Sequence, residues 1–241
     1  MSAMIVKHLK QNDYAVSSWS GGRTIQLAIA PEGAVYADRD FLWRLSSATV
    51  ELDESDFTAL PDYERLIAPL NGEMILSHNG GPEIRLLPCQ VHAFDGADRT
   101  HSRGRCTDFN LMLRKARCEG QIGALLPCAG TEQSRFVPDP RAESLLFYCT
   151  EGSVKIGIGE SAHVLQEGES LLLETGSAAE QSKKENTAAG KSKDEKAGKD
   201  RLPAAEIAHL PGGRLMAAQM WTLPELNARV RLDAARPEDV Y

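Results

Sequence analysis

The stretch ERLIAPLNGEMILSH (64–78) contains two short apolar runs with alternating or continuous hydrophobicity, split by Asn-Gly. A period of two puts alternate side chains on one face of a strand, and Asn-Gly supplies the positive φ of a tight hairpin turn. The same grammar recurs along the chain. TIQLAIAP (24–31), FLWRLSSATVEL (41–52), PEIRLLP (82–88) and TDFNLMLR (107–114) read as strands, separated by clusters such as HNGGP. FDG (94–96) reads as a turn, and Gly21-Gly22 as a turn or bulge before TIQLAIAP. Helical periodicity is scarce. Many short strands with regular turn signals predict an all-β sandwich or barrel.

The pattern returns in the second half. LLFYCTEGSVKIGIG (145–159) matches the hairpin at 64–78 in outline, and HVLQEGESLLLE (163–174) follows it. The expectation is two cupin-like β-barrels with few short helices, residues 1–125 and 126–241. Residues 176–203, GSAAEQSKKENTAAGKSKDEKAGKDRLP, break the pattern. Acids are interleaved with the lysines and no large apolar residue appears before Leu202, so the segment reads as a disordered, solvated insertion within the second barrel. Apolar pattern resumes with IAHLPGGRLMAAQMWTL (207–223).

Composition narrows the function classes. The 241 residues carry a net charge of −7, which argues against a phosphate-backbone partner. The sequence has no apolar run of membrane-spanning length, and MSAMIVKHLKQNDYAV lacks a signal-peptide core, so a cytoplasmic location is expected. Five cysteines without C-x-x-C suggest neither a disulfide framework nor a structural zinc site. Arg103 and Arg105 before Cys106 are the one hint of a reactive thiol. G-x-G-x-x-G, a P-loop and G-x-S-x-G are all absent.

The runs WSGGRTIQLAIAP (19–31), RDFLWRLSSATVE (39–51), SDFTALPDYERLIAPLNGE (55–73) and CTDFNLML (106–113) together resemble the HutD/Ves family. The resemblance covers about residues 5–126 well and the second half in general character. Many members carry Trp-x-Asn-Gly-Gly-Gly near the start, where this chain has Trp19-Ser20-Gly21-Gly22 and lacks the Asn. The resemblance implies a bicupin fold. Some members are encoded with histidine-degradation enzymes and are thought to limit or monitor that pathway.

Metal chemistry is not expected. No two of the six histidines stand at His-x-His spacing. The position seven residues before the turn glycine Gly72, where a metal-binding cupin places its carboxylate, holds Arg65. His92 or His101 could still point inward from a later strand. Arg44 and Arg65 lie on apolar strands, and a buried guanidinium needs a carboxylate, carbonyls or an anionic ligand. Asp108 and Asn110 share one strand face. Two readings stay open: Arg44 or Arg65 pairs with Asp108 structurally, or Arg65, Asn110, Asp108, Arg44, Trp43 and Ser46 line a site for a small carboxylate, since arginine grips carboxylates through two hydrogen bonds. Trp43 and Arg44 point to opposite faces, and the sequence leaves open which faces inward. The expectation is a metal-free, cofactor-free homodimer in an accessory or regulatory role, with urocanate, a formyl or formimino glutamate, or formate as ligands the resemblance suggests. The alternative is a metal-independent isomerase or hydrolase acting on a small acid, with Glu64, Asp108, His92 and His101 as acid–base candidates.

Overall fold

The computed structural model describes residues 4–126, 132–176 and 201–224. The low-complexity stretch and Cys128 lie almost wholly outside the described residues.

Nineteen strands and two short 3-10 turns make up the described chain. In order the strands are β1 (Ile5–Leu9), β2 (Ala15–Trp19), β3 (Gly22–Ala30), β4 (Trp43–Val50), β5 (Glu54–Asp56), β6 (Tyr63–Gly72), β7 (Met74–His78), β8 (Glu83–Leu86), β9 (His92–Asp95) and β10 (Thr100–Arg103). They continue as β11 (Cys106–Arg114), β12 (Cys118–Leu125), β13 (Gln133–Phe136), β14 (Ser144–Glu151), β15 (Ser153–Ile158), β16 (Ser161–Gln166), β17 (Ser170–Glu174), β18 (Ala205–His209) and β19 (Arg214–Thr222). The expected all-β class holds. Phe94 and Asp95, expected in a turn, instead end β9, because their backbones pair with Arg65 and Glu64 of β6.

The strands form four open sheets. Their orders are β2-β3-β4-β11-β6-β9, β5-β10-β7-β8, β1-β17-β14-β19-β12 and β13-β18-β15-β16. Two closed barrels were expected; no ladder closes on itself here. The first two sheets are joined instead by side chains, with Val50, Ile67, Phe94 and Cys106 of one packed on Met74, Leu76 and Leu86 of the other. Strands from the first 125 residues also complete the third sheet: β1 pairs with β17 and β12 with β19.

The two large sheets pack face to face. Trp43, Leu45, Phe109, Leu111 and Leu113 of the six-stranded sheet meet Leu146, Tyr148, Leu172, Met216 and Met220 of the five-stranded sheet. Burying each such side chain is worth about 1.5–3 kcal/mol, so this central layer is a major source of stability. The six-stranded sheet is thus covered on both sides, one by the five-stranded sheet and one by the four-stranded sheet. Its outer face is apolar at the contact apart from Ser47, which hydrogen-bonds Tyr148, and its other face carries the polar residues of the interior.

Turns are set by residues that tolerate positive φ. Gly72, at φ +70°, closes the β6–β7 hairpin, where an added Cβ would fall 2.3 Å from the Arg105 carbonyl oxygen. Tyr14 ties the entry of the chain to the second half by donating its hydroxyl to Ser170 Oγ at 2.9 Å.

Candidate functional site

The register of three neighbouring strands gathers polar side chains on the inward face. Met112 of β11 is opposite Arg44 of β4 and Arg65 of β6. One row along, Asn110 is opposite Ser46 and Ile67, and Ser46 is also opposite Gln26 of β3. Asp108, two residues before Asn110, shares that face, and the register with β6 shifts just before it, between Thr107 and Asp108. Arg44, Ser46, Arg65, Asp108 and Asn110 are all buried. Trp43, proposed for the same site, is not part of it. It packs in the layer between the two large sheets, and Arg44 faces inward. The usual preference for an inward tryptophan fails because the outer face of this sheet is itself a core.

Arg44 is well satisfied. Its Nε donates to Gln26 Oε1 at 2.8 Å and its Nη1 to Ser46 Oγ at 3.1 Å. Its guanidinium lies 4.2 Å from the centre of the Tyr36 ring, and Arg39 approaches the same ring at 3.9 Å. Arg65 differs. It is 6% exposed, its guanidinium rests against Phe57 at 4.6 Å and Phe94 at 5.1 Å, and its Nε–H has no hydrogen-bond partner. Asn110 Oδ1 and Arg39 Nη1 are likewise buried without partners.

The structural ion pair expected as one reading is absent: among the described residues neither Arg44 nor Arg65 forms a direct pair with Asp108. The carboxylate is held by the chain itself. Its Oδ1 accepts the Ala48 N–H at 3.0 Å, and the Asp108 carbonyl accepts the Ser47 hydroxyl at 2.6 Å. Burial pushes the Asp108 carboxyl up to about 6, against the Ala48 hydrogen bond and the attraction of Arg65 and Arg44. Burial also lowers Arg65 to about 10, and Asp108 only partly offsets this. Two guanidiniums, Arg65 and Arg44, therefore act on one carboxylate that ionises reluctantly. The interior carries a surplus of positive charge and of hydrogen-bond donors.

The histidines divide by strand face. His101 points outward to Asp56 at 2.8 Å and Glu54 at 3.4 Å, which raise its pKa, the Asp56 hydrogen bond foremost. His92 points inward, as does His78, which sequence reasoning did not single out. His78 Nε2 and His92 Nε2 are 2.9 Å apart, and His78 Nδ1 is 2.9 Å from Thr100 Oγ1. Among the described residues no group of three His, Cys, Asp or Glu is placed to hold a metal ion. Glu64 faces away from the cluster, opposite Asp95 and Leu113. The hint of a reactive Cys106 fails: Arg103 is paired with Glu83 and Arg105 with Asp53, and burial pushes the thiol up to about 12. Sequence reasoning also missed Gln26, Tyr36, Arg39, Phe57 and Phe94. They come from separate segments, and only sheet register brings them together.

A model of the HutD family matches residues 11–190. An uncharacterized 21.2 kDa protein in the hutC 3′ region of Pseudomonas putida is 30% identical over 118 residues, 47% of this chain and 61% of that protein. The match thus spans less than two thirds of that relative's length. A conserved protein of unknown function from Pseudomonas aeruginosa PAO1 superposes with a TM-score of 0.71 at 22% identity, covering 90% of this chain and 99% of its own. HutD from Pseudomonas fluorescens SBW25, solved in a formate condition, superposes with a TM-score of 0.66 at 21% identity, covering 91% and 100%. No helix of the described residues is long and apolar enough to cross a membrane.

Proposed function

The chain belongs to the HutD family, a cupin-like all-β group, and from this premise we propose that the interior of its first sandwich binds a small carboxylate metabolite in an accessory or regulatory role. The observation that carries this reading is Arg65, a buried cation whose Nε–H has no hydrogen-bond partner and which has no ion-pair partner among the described residues. Leaving such a donor unpaired costs about 1–3 kcal/mol or more, a cost that a bound carboxylate would remove. A planar guanidinium meets a carboxylate through two parallel hydrogen bonds. Asn110 Oδ1 beside it is an unmet acceptor, which suits a ligand that also carries an N–H or O–H. Arg44, already satisfied by Gln26 and Ser46, adds charge without competing for the same contacts.

The relative in the hutC 3′ region makes histidine catabolites the first probes. Urocanate, formylglutamate, formiminoglutamate and formate are the set to screen by thermal shift. A ligand at 100 times its dissociation constant adds about 2.7 kcal/mol to the native state. A rise with one carboxylate in the wild type, lost in Arg65→Met, supports the site. No shift with any carboxylate contradicts it.

A second reading, a metal-independent enzyme acting on a small acid, draws on Asp108. Its carboxyl, pushed up to about 6, lies within the range useful for proton transfer near neutrality. Turnover of any probe by the purified protein, abolished in Asp108→Asn, would favour it over simple binding.

A further inference from the structure

His78 and His92 form a second polar feature of the interior between the six-stranded sheet and the β5-β10-β7-β8 sheet. Their ring centres are 5.1 Å apart while their Nε2 atoms are 2.9 Å apart. That ring separation is close to the greatest such a contact allows, so the two nitrogens meet head on. A metal ion needs both lone pairs directed at a point off the line between them, and this geometry leaves no room for one. It suits an N–H···N hydrogen bond that shares a single proton.

The surrounding contacts suit one arrangement of the protons. The Thr100 hydroxyl donates to the Asp98 carbonyl at 3.4 Å, leaving its oxygen to accept from His78 Nδ1–H. His78 Nε2 then accepts from His92 Nε2–H, and His92 Nδ1 is the basic atom of the pair. A proton added at His92 Nδ1 strengthens the N–H···N bond, because the donor becomes cationic. A second would set two N–H groups against each other, so the pair takes up one.

Phe94 links the pair to Arg65. The His78 ring centre is 4.8 Å from that of Phe94, whose ring also lies 5.1 Å from the Arg65 guanidinium. The charged groups facing the cavity from the packed strands are Arg65 on β6, Arg44 on β4 and Asp108 on β11. The Asp98 carboxylate, in the turn before β10, is taken by Asn79 at 2.7 Å. Asp95, Glu83 and His101 are paired on the outer face with Lys115, Arg103 and Asp56. An anion held by Arg65 stabilises a positive charge on His92 across the Phe94 ring, through a poorly screened interior.

We propose that carboxylate binding at Arg65 is coupled to proton uptake by the His78–His92 pair, so that the protein takes an anion and a proton together. This rests on the carboxylate reading above. In the unliganded protein burial and His78 hold the His92 pKa below its ordinary value, so the pair enters binding near neutrality with a vacancy for the proton.

The test is calorimetric titration with sodium formate at pH 5.5, 6.5 and 7.5, each in two buffers of different ionisation heat. Wild type, His92→Gln and Asp108→Asn are compared. The expected result is a formate affinity that rises about fivefold or more from pH 7.5 to 5.5, with net proton uptake approaching one, as linkage requires. Uptake should be lost in His92→Gln and kept in Asp108→Asn. An affinity that does not change with pH overturns the coupling while leaving the carboxylate site intact. Uptake kept in His92→Gln and lost in Asp108→Asn also overturns it, and assigns the proton to Asp108. No formate binding by wild type at any pH overturns both readings. Histidine-ring NMR of the wild type is a check that needs no substitution: the His92 ring should become imidazolium when formate is added at pH 6.5, and a ring that stays neutral refutes the proposal.

Discussion

Replacing Arg65 with methionine separates a binding cation from a structural one. Burial lowers Arg65 from an ordinary 12.5 to about 10, so holding it charged costs the fold about 3 kcal/mol at any pH below that value. Methionine fills a similar space without a charge. Its side chain can pack on Phe57 and Phe94, where the guanidinium rests now. One loss must be set against this gain. Asp108 keeps only Arg44 as a cation nearby, and with its carboxyl already at about 6 it can take a proton at pH 7 for about 1.4 kcal/mol. The net expectation for Arg65→Met is a gain of about 1–2 kcal/mol. In a chain of this size that raises the melting temperature by about 3–6 °C. Were Arg65 a partner in a buried ion pair, removing it would cost about 3–5 kcal/mol, a fall of about 10 °C or more. Thermal melts and urea unfolding at pH 7.5, without ligand, decide between them. A large fall in melting temperature with an unchanged urea slope would refute the account of Arg65 as a cation without a partner.

Asp108 should leave a signature in the pH dependence of stability. Its folded pKa, about 6, is above its ordinary 3.8, so its neutral form is favoured by folding and the benefit is lost as pH rises through 6. The wild type should therefore lose about 2 kcal/mol relative to Asp108→Asn between pH 4 and 7, read as diverging melting temperatures. Trp43→Ala should cost about 3–5 kcal/mol by opening a void between the two large sheets, seen in urea unfolding, and no specific effect on carboxylate binding is expected. Gly22→Ala should cost about 2 kcal/mol or more, because at φ +148° its Cβ would fall 1.9 Å from the Thr49 carbonyl oxygen; a melt shows it directly.

What the sequence carried, and what it did not, follows from the range of the interactions. The all-β class was legible because alternation and turn glycines are local signals. Asp108 and Asn110 on one face, and Arg65 on β6, follow from the period of two alone. Whether Trp43 or Arg44 faced inward was not legible, because β4 is buried on both sides and the polar–apolar contrast that marks an inside face is lost. The pairing of β1 with β17 and of β12 with β19 left no trace in either partner's pattern, since an edge strand reads the same whichever sheet it joins. His78 was passed over for the same reason: a lone histidine at a strand end gains its meaning only when register sets it against His92. Arg39 escaped notice because it lies in a loop and holds φ +57°, a conformation that no periodicity foretells.

The central claim is that the Arg65 Nε–H waits for an anion. It can be watched directly by arginine-selective NMR, following the Nε–H resonances during titration with formate and then with the longer histidine catabolites. The account predicts that one resonance, identified by its absence in Arg65→Met, moves downfield and exchanges more slowly with water as a carboxylate is added. If every arginine Nε–H resonance stays in place while a carboxylate demonstrably binds, the ligand lies elsewhere and the cavity is not its site.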